Sequence, residues 1–236
     1  MVTTNGFIIS KFNYGETSVI CKIFTKDFGL ISFIIKGVRK RRASTSPALL
    51  FSFSPVEIEF KIDRKKDLQQ TKSLKSEYYV QNIQGEITKS TICMFLAELI
   101  QRITPQHEAN KPLYDLISEF VCFLEEEEDH YSNSHLIFAL QLLSISGFGI
   151  NNNRSDSNLY FNIREGKFQS QYYRSEYILN RELSLLLSKL LEKDHGISIK
   201  KIQKHQLLEA ILSYYNTHFI SFGDIKTLPV LQAIFA

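Results

Sequence analysis

The chain has 236 residues, 44% apolar and 22% charged, an ordinary globular composition that excludes a disordered polymer. The net charge of +3 is small but unevenly spread: residues 1–82 hold 14 Lys and Arg against 7 Asp and Glu, the remainder 14 against 18. A +7 region joined to a −4 region suggests that one part meets an anionic polymer and the other does not.

Residues 1–80 read as five strands. The first lies near Thr4–Phe12 and turns at Tyr14-Gly15-Glu16 into the second, Thr17–Thr25. Lys26-Asp27-Phe28-Gly29 turns into a third, where Ile31, Phe33 and Ile35 share one face. The fourth alternates cleanly, with Val56, Ile58, Phe60 and Ile62 facing in and Glu57, Glu59, Lys61 and Asp63 facing out. A weaker fifth strand runs from Leu68 to about Tyr79. Five strands broken between the third and fourth fit the partly open barrel of the OB-fold, and an SH3-like barrel gives much the same pattern.

From residue 81 the period becomes helical. Glu86–Ile103 is an amphipathic helix, and Pro112 opens another with Leu113, Leu116, Ile117, Phe120 and Phe123 on one side. That helix runs out in the acidic string Glu125–Asp129, read as a solvated end because adjacent acids on a helix point different ways. Ser134–Ser146 is apolar nearly all round, the centre of a bundle. A polar loop over Asn151–Asn158 and a small hairpin over Tyr160–Gln169, turning at Glu165-Gly166, form an insertion near 150–172. Leucines from Leu179 to Leu191, then Leu208 to Phe219, define two more helices. The fold class is therefore α+β: an OB-fold domain over 1–80 and an all-α domain over 81–236.

Basic residues gather in the barrel. Gly37 ends the third strand, and the tip carries Lys36, Arg39, Lys40, Arg41 and Arg42. A second turn carries Lys61, Arg64, Lys65 and Lys66, and the next strand adds Lys72 and Lys75. Cations at the rim of a barrel track phosphates while aromatics stack bases, so these eleven are the expected nucleic-acid-binding set, with Phe12, Tyr14, Phe24 and Phe28 as aromatic candidates. A solvated loop is the competing reading of any single charge run.

Catalytic and metal signatures are missing. Cys21, Cys93 and Cys122 are far apart, include no CxxC pair, and lie in apolar runs where a thiol acts as a small core residue. The sequence contains no HExxH, GxSxG, Walker A or GxGxxG motif. The N-terminus lacks a signal-peptide pattern and no apolar run is long enough to span a bilayer, so a cytoplasmic, non-membrane, non-enzymatic protein without metal or cofactor is expected.

The stretch NYGETSVICKIFTKDFGLISFIIKGVRKRRAS, Asn13–Ser44, resembles the N-terminal signature of the bacterial RecO family of recombination mediators. There a YGE-(T/S) turn precedes an FT-x-x-x-G turn and KG-x-R. PVEIEF at 55–60, Asp67-Leu68, FLAEL at 95–99, LLSISGF at 142–148 and YFNIREGKF at 160–168 agree, so the resemblance spans most of the chain. It implies an OB-fold domain joined to a helical domain, with no covalent chemistry. It also implies binding of single- and double-stranded DNA, annealing of complementary strands, association with RecR, and recognition of the acidic, apolar-ended tail of single-stranded DNA-binding protein, which together help place RecA on coated strands.

Some members carry a cysteine-based zinc site in the region matching Asn151–Gln171. This chain has no cysteine there, so no metal is expected and the loop should be held by packing alone. The partner tail should dock after about Ile83, in a groove flanked by cations such as Lys189, Lys193, Lys200, Lys201 and Lys204. The rival functions are an OB-fold RNA-binding protein and a metal-assisted hydrolase using the helical domain.

Overall fold

A computed structural model describes residues 1–40, 46–63, 65–220 and 222–235. The N-terminal alternation forms β1 (Val2–Tyr14), β2 (Ser18–Thr25), β3 (Gly29–Ile35), β4 (Pro55–Phe60) and β5 (Leu68–Ser76). They close into a barrel in the order β1-β2-β3-β5-β4. Every pairing is antiparallel except β3 with β5, which runs parallel from Ser32↔Leu68 to Ile34↔Gln70. This is the OB-fold arrangement, fully closed, and it decides between the two barrels that the sequence allowed.

Alternation puts Cys21, Ile31, Phe33, Ile35, Val56, Ile58 and Phe60 in one interior cluster, all at most 4% exposed. Phe33 and Phe60 meet edge to face at 4.9 Å, a geometry that adds about 1 kcal/mol to the burial of two rings. The inward reading of Ile62 fails. β4 ends at Phe60, and Ile62 is 37% exposed. A local turn wins there: Asp63 accepts from the backbone N–H groups of Lys65 and Lys66, and its own N–H donates to the Gln69 side chain.

The chain separates into two compact units, Met1–Glu126 and Glu127–Ala236. The first therefore includes helices α1 (Gln81–Gly85), α2 (Ile87–Ile103) and α3 (Lys111–Glu126) as well as the barrel. Ser10 donates to Gln101 of α2 at 2.6 Å, and Phe7 and Phe53 pack on Tyr114 and Phe120 of α3. Glu125 accepts from the N–H groups of Asn82 and Ile83, so the first acid of the acidic string caps α1. α1 itself, five residues long, escaped the periodicity.

In the second unit α4 (Ser134–Ile145) is central and buried nearly all round, as its unbroken apolar character requires. The hairpin of β6 (Tyr160–Asn162) and β7 (Lys167–Gln169), then α5 (Arg181–Leu191), α6 (Lys201–His218) and α7 (Leu228–Ile234) complete it. Tyr215 of α6 donates to the Ala139 carbonyl of α4 at 2.7 Å.

Packing alone does not hold the loop before the hairpin, contrary to expectation. The Asn153 side chain exchanges two hydrogen bonds with the Phe168 backbone, and Asn152 exchanges two with Ser188. Asn152 and Asn153 are thereby both engaged in hydrogen bonds within the second unit. Cys21 and Cys93 are buried as expected, but Cys122 is exposed, on the side of α3 away from the core. Among the described residues no helix is long and apolar enough to cross a membrane.

Candidate nucleic-acid interface

The site begins with strand alternation on β2 and β3. Because Val19, Cys21 and Ile23 point inward, Ile20, Lys22 and Phe24 point outward, and on β3 the same holds for Leu30, Ser32 and Ile34. Cross-strand pairing then sets rows across the outer face. One row runs Phe12↔Ile20↔Ile34↔Gln70, the next Ser10↔Lys22↔Ser32↔Leu68. Tyr14 lies opposite Ser18 at the end of the face. Phe12 and Tyr14 are each 52% exposed, whereas Phe24 is fully buried and Phe28 packs edge-on against Phe60.

The basic tip flanks one end of this face. Arg39 folds back on the β1–β2 turn, its backbone N–H donating to the Thr17 carbonyl and its guanidinium to that of Gly15 at 3.3 Å. Lys36, Arg39 and Lys40 are exposed. Arg41 and Arg42 lie outside the described residues, as does Arg64 of the second turn.

That second turn stands at the other end of β3, roughly 20 Å away for a strand of this length. There Phe28, Phe60, Lys66, Asp67 and His107 line a cavity of 250 Å³. Lys61, Lys65 and Lys66 are exposed, and Lys66 pairs with Asp63 at 3.2 Å. The Lys65 N–H, with Lys66 beside it, holds the Asp63 carboxyl below its ordinary range.

Lys72 and Lys75 lie apart from the other cations. The outer face of β4 carries Glu57 and Glu59, and β5 sets Lys75 opposite Glu57. Lys72 pairs with Glu59 at 2.7 Å, and this contact, first as a hydrogen bond, lowers the carboxyl's pKa. Among the described residues Lys11, Lys22, Lys36, Arg39, Lys40, Lys61, Lys65 and Lys75 make no ion pair. Lys22 is the cation that sequence reasoning passed over. An isolated lysine in an apolar strand carries no signal until the register places it on the outer face between Ser10 and Ser32.

Burial pushes the Cys21 thiol up to about 12, and Cys93 further, so neither is a nucleophile at neutral pH. No group of three or more His, Cys, Asp and Glu among the described residues is arranged to hold a metal ion.

A closed barrel of this strand order, followed in the sequence by a helical unit, defines a protein of the OB-fold class. Comparison with known proteins narrows the class. Residues 1–79 match the family model "Recombination protein O N terminal" and residues 84–221 match "Recombination protein O C terminal". A Flavobacterium johnsoniae protein described as "DNA repair protein RecO" is 30% identical over all of this chain and 99% of its own length. Proteins with the same description from Azobacteroides pseudotrichonymphae and Phocaeicola vulgatus are each 27% identical, covering 98% or more of both chains. The chain belongs to the RecO family of recombination and DNA repair proteins.

Proposed function

We propose that the chain is a non-enzymatic recombination mediator. It binds single- and double-stranded DNA on the β2–β3 face, anneals complementary strands and, with RecR, helps load RecA onto strands coated by single-stranded DNA-binding protein. The supporting observation is the convergence of Phe12, Tyr14, Lys22, Ile34 and Lys36 on one face, with Arg39 and Lys40 at its end. Rings accept bases of any identity, and cations follow the backbone without reading sequence, which is what a mediator needs. Annealing brings two polyanions together, and a cationic face lowers their repulsion.

The partner tail suits the second unit. A cavity of 510 Å³ lies beside α6 and α7, with Leu208, Leu231 and Phe235 as apolar lining and Lys201, Lys204 and His205 at its margin. An acidic peptide with an apolar end is complementary to that composition.

The deciding experiment is a salt-dependent titration of the full chain with single-stranded DNA. Arg39→Ala and Lys40→Ala should weaken binding on every sequence and each lower the log–log salt slope by about 0.7. An unchanged slope in both folded variants sinks the assignment, and a strong preference for RNA of the same sequence moves it to the RNA-binding alternative.

A further inference from the structure

A cleft of 310 Å³ in the first unit belongs to none of the sites above. Leu49, Leu74 and Val80 supply its apolar surface; Tyr79, Gln84 and Lys75 supply its functional groups. Tyr79 is 78% exposed, an unusual position for a large ring with no folding role to perform. Gln84 donates only weakly, to the Ala48 carbonyl at 3.4 Å and the Ser54 hydroxyl at 3.3 Å, and its Oε1 has no donor among the described residues. Lys75 makes no ion pair among them.

A ring, a side-chain amide and a cation around an apolar floor are the parts that hold one nucleobase: a face to stack on, an edge to hydrogen-bond, and a charge for the flanking phosphate. The cleft's volume sits near the lower limit of small-molecule sites, about 300 Å³. Two chain constraints tie it to the interface. Lys75 follows Gln70, the residue facing Ile34, by five positions of β5, about 16 Å. Ser46, on the cleft wall, is six residues from Lys40 and so at most roughly 22 Å from it.

We propose that this cleft captures one unstacked base of the single strand bound on the β2–β3 face. The base lies on Tyr79 with its edge toward Gln84, and Lys75 meets the adjoining phosphate. The inference rests on the DNA-binding reading of the barrel and extends it from the strand face to a pocket. A strand held in this way is anchored at one base while the rest stays available for pairing.

The test uses the full chain and an oligothymidylate carrying 5-iodouracil at successive positions, photo-crosslinked and mapped by mass spectrometry, with affinities measured in parallel. The expected result is an adduct on Tyr79, a loss of about fivefold or more in affinity for Tyr79→Ala, and near-normal binding for Tyr79→Phe. Adducts confined to Phe12 and Tyr14, with Tyr79→Ala binding normally, overturn the pocket and leave the interface standing. Absence of DNA binding by the unaltered chain overturns both. Free thymidine monophosphate that blocks the Tyr79 adduct as well as competing oligonucleotide does also overturns the proposal, because the cleft would then be a nucleotide site.

Discussion

Phe12 and Tyr14 sit on the last residues of β1, past the point where the strand has a second neighbour, and half of each ring is in water. The barrel core gains little from them, so their cost in exposed apolar area needs an external partner to offset it. His135 shows the opposite relation to solvent. It lies on the first turn of α4, 1% exposed, stacked on Phe235 at 5.0 Å. Burial, with the Lys204 charge as the second cause, lowers its pKa to about 3. The unfolded imidazole titrates near 6.5, so between these values the unfolded chain binds a proton that the folded chain does not. The resulting stability is whole above about pH 6.5 and declines as pH falls toward 3, by as much as about 1.4 kcal/mol per unit. Urea unfolding at pH 7.5 and 5.5 should therefore show a loss that shrinks by about 1 kcal/mol in His135→Gln. Equal losses in both proteins would remove His135 as the cause.

At the scale of elements, the turn between β2 and β3 depends on Gly29. Its φ is +68°, and a Cβ there would overlap the Glu108 carbonyl of the segment before α3. The neighbouring His107 N–H donates to the Leu30 carbonyl at 3.1 Å, tying the same segment to β3. Gly29→Ala faces both a left-handed backbone and a backbone clash, so it should destabilise the folded chain by about 2 kcal/mol or more. A midpoint of urea unfolding within error of the parent would show that the segment moves aside freely.

Strands of this barrel were legible because alternation is a local property: Val56-Glu57-Ile58-Glu59-Phe60 announces its two faces without help. Helices α2 to α6 were legible for the same reason at a longer period. What escaped was decided by partners distant in sequence or by short range. α1 and α7 are five and seven residues long, too short for a period to emerge. The basic tip was visible as a run, yet the separate surroundings of Lys72 depend on Glu59, thirteen residues away and adjacent only across β4 and β5. Lys22 and Cys122 needed the register of a sheet and the packing of a helix before their surroundings were defined.

For the whole molecule, the two compact units carry different chemistry, a cationic face in one and an apolar cavity with basic margins in the other. The proposed tail site can then be altered without altering the proposed DNA face. Ile202 lines the cavity and is 63% exposed, so a charge there does not disturb the core. Ile202→Glu in the full chain should lower affinity for the tail peptide at least tenfold, about 1.4 kcal/mol, and leave single-stranded DNA binding unchanged. Unaltered peptide affinity would take the tail away from this cavity.

Closure of the barrel by β5 has a consequence for biosynthesis. The β1–β2 and β2–β3 pairings need no residue beyond β3, but the free edge of β3 waits for Leu68–Gln70, more than thirty residues later. Meanwhile its edge offers Leu30-Ile31-Ser32-Phe33-Ile34-Ile35, six residues with no charge and no proline, the composition from which chains stack into fibrils. The final strand is thus also a guard over a sticky edge, and nascent or truncated chains that end before it are at risk of precipitating. A variant that loosens β5 will first be seen in the insoluble fraction, and its apparent failure to bind DNA will reflect missing protein instead of a missing contact.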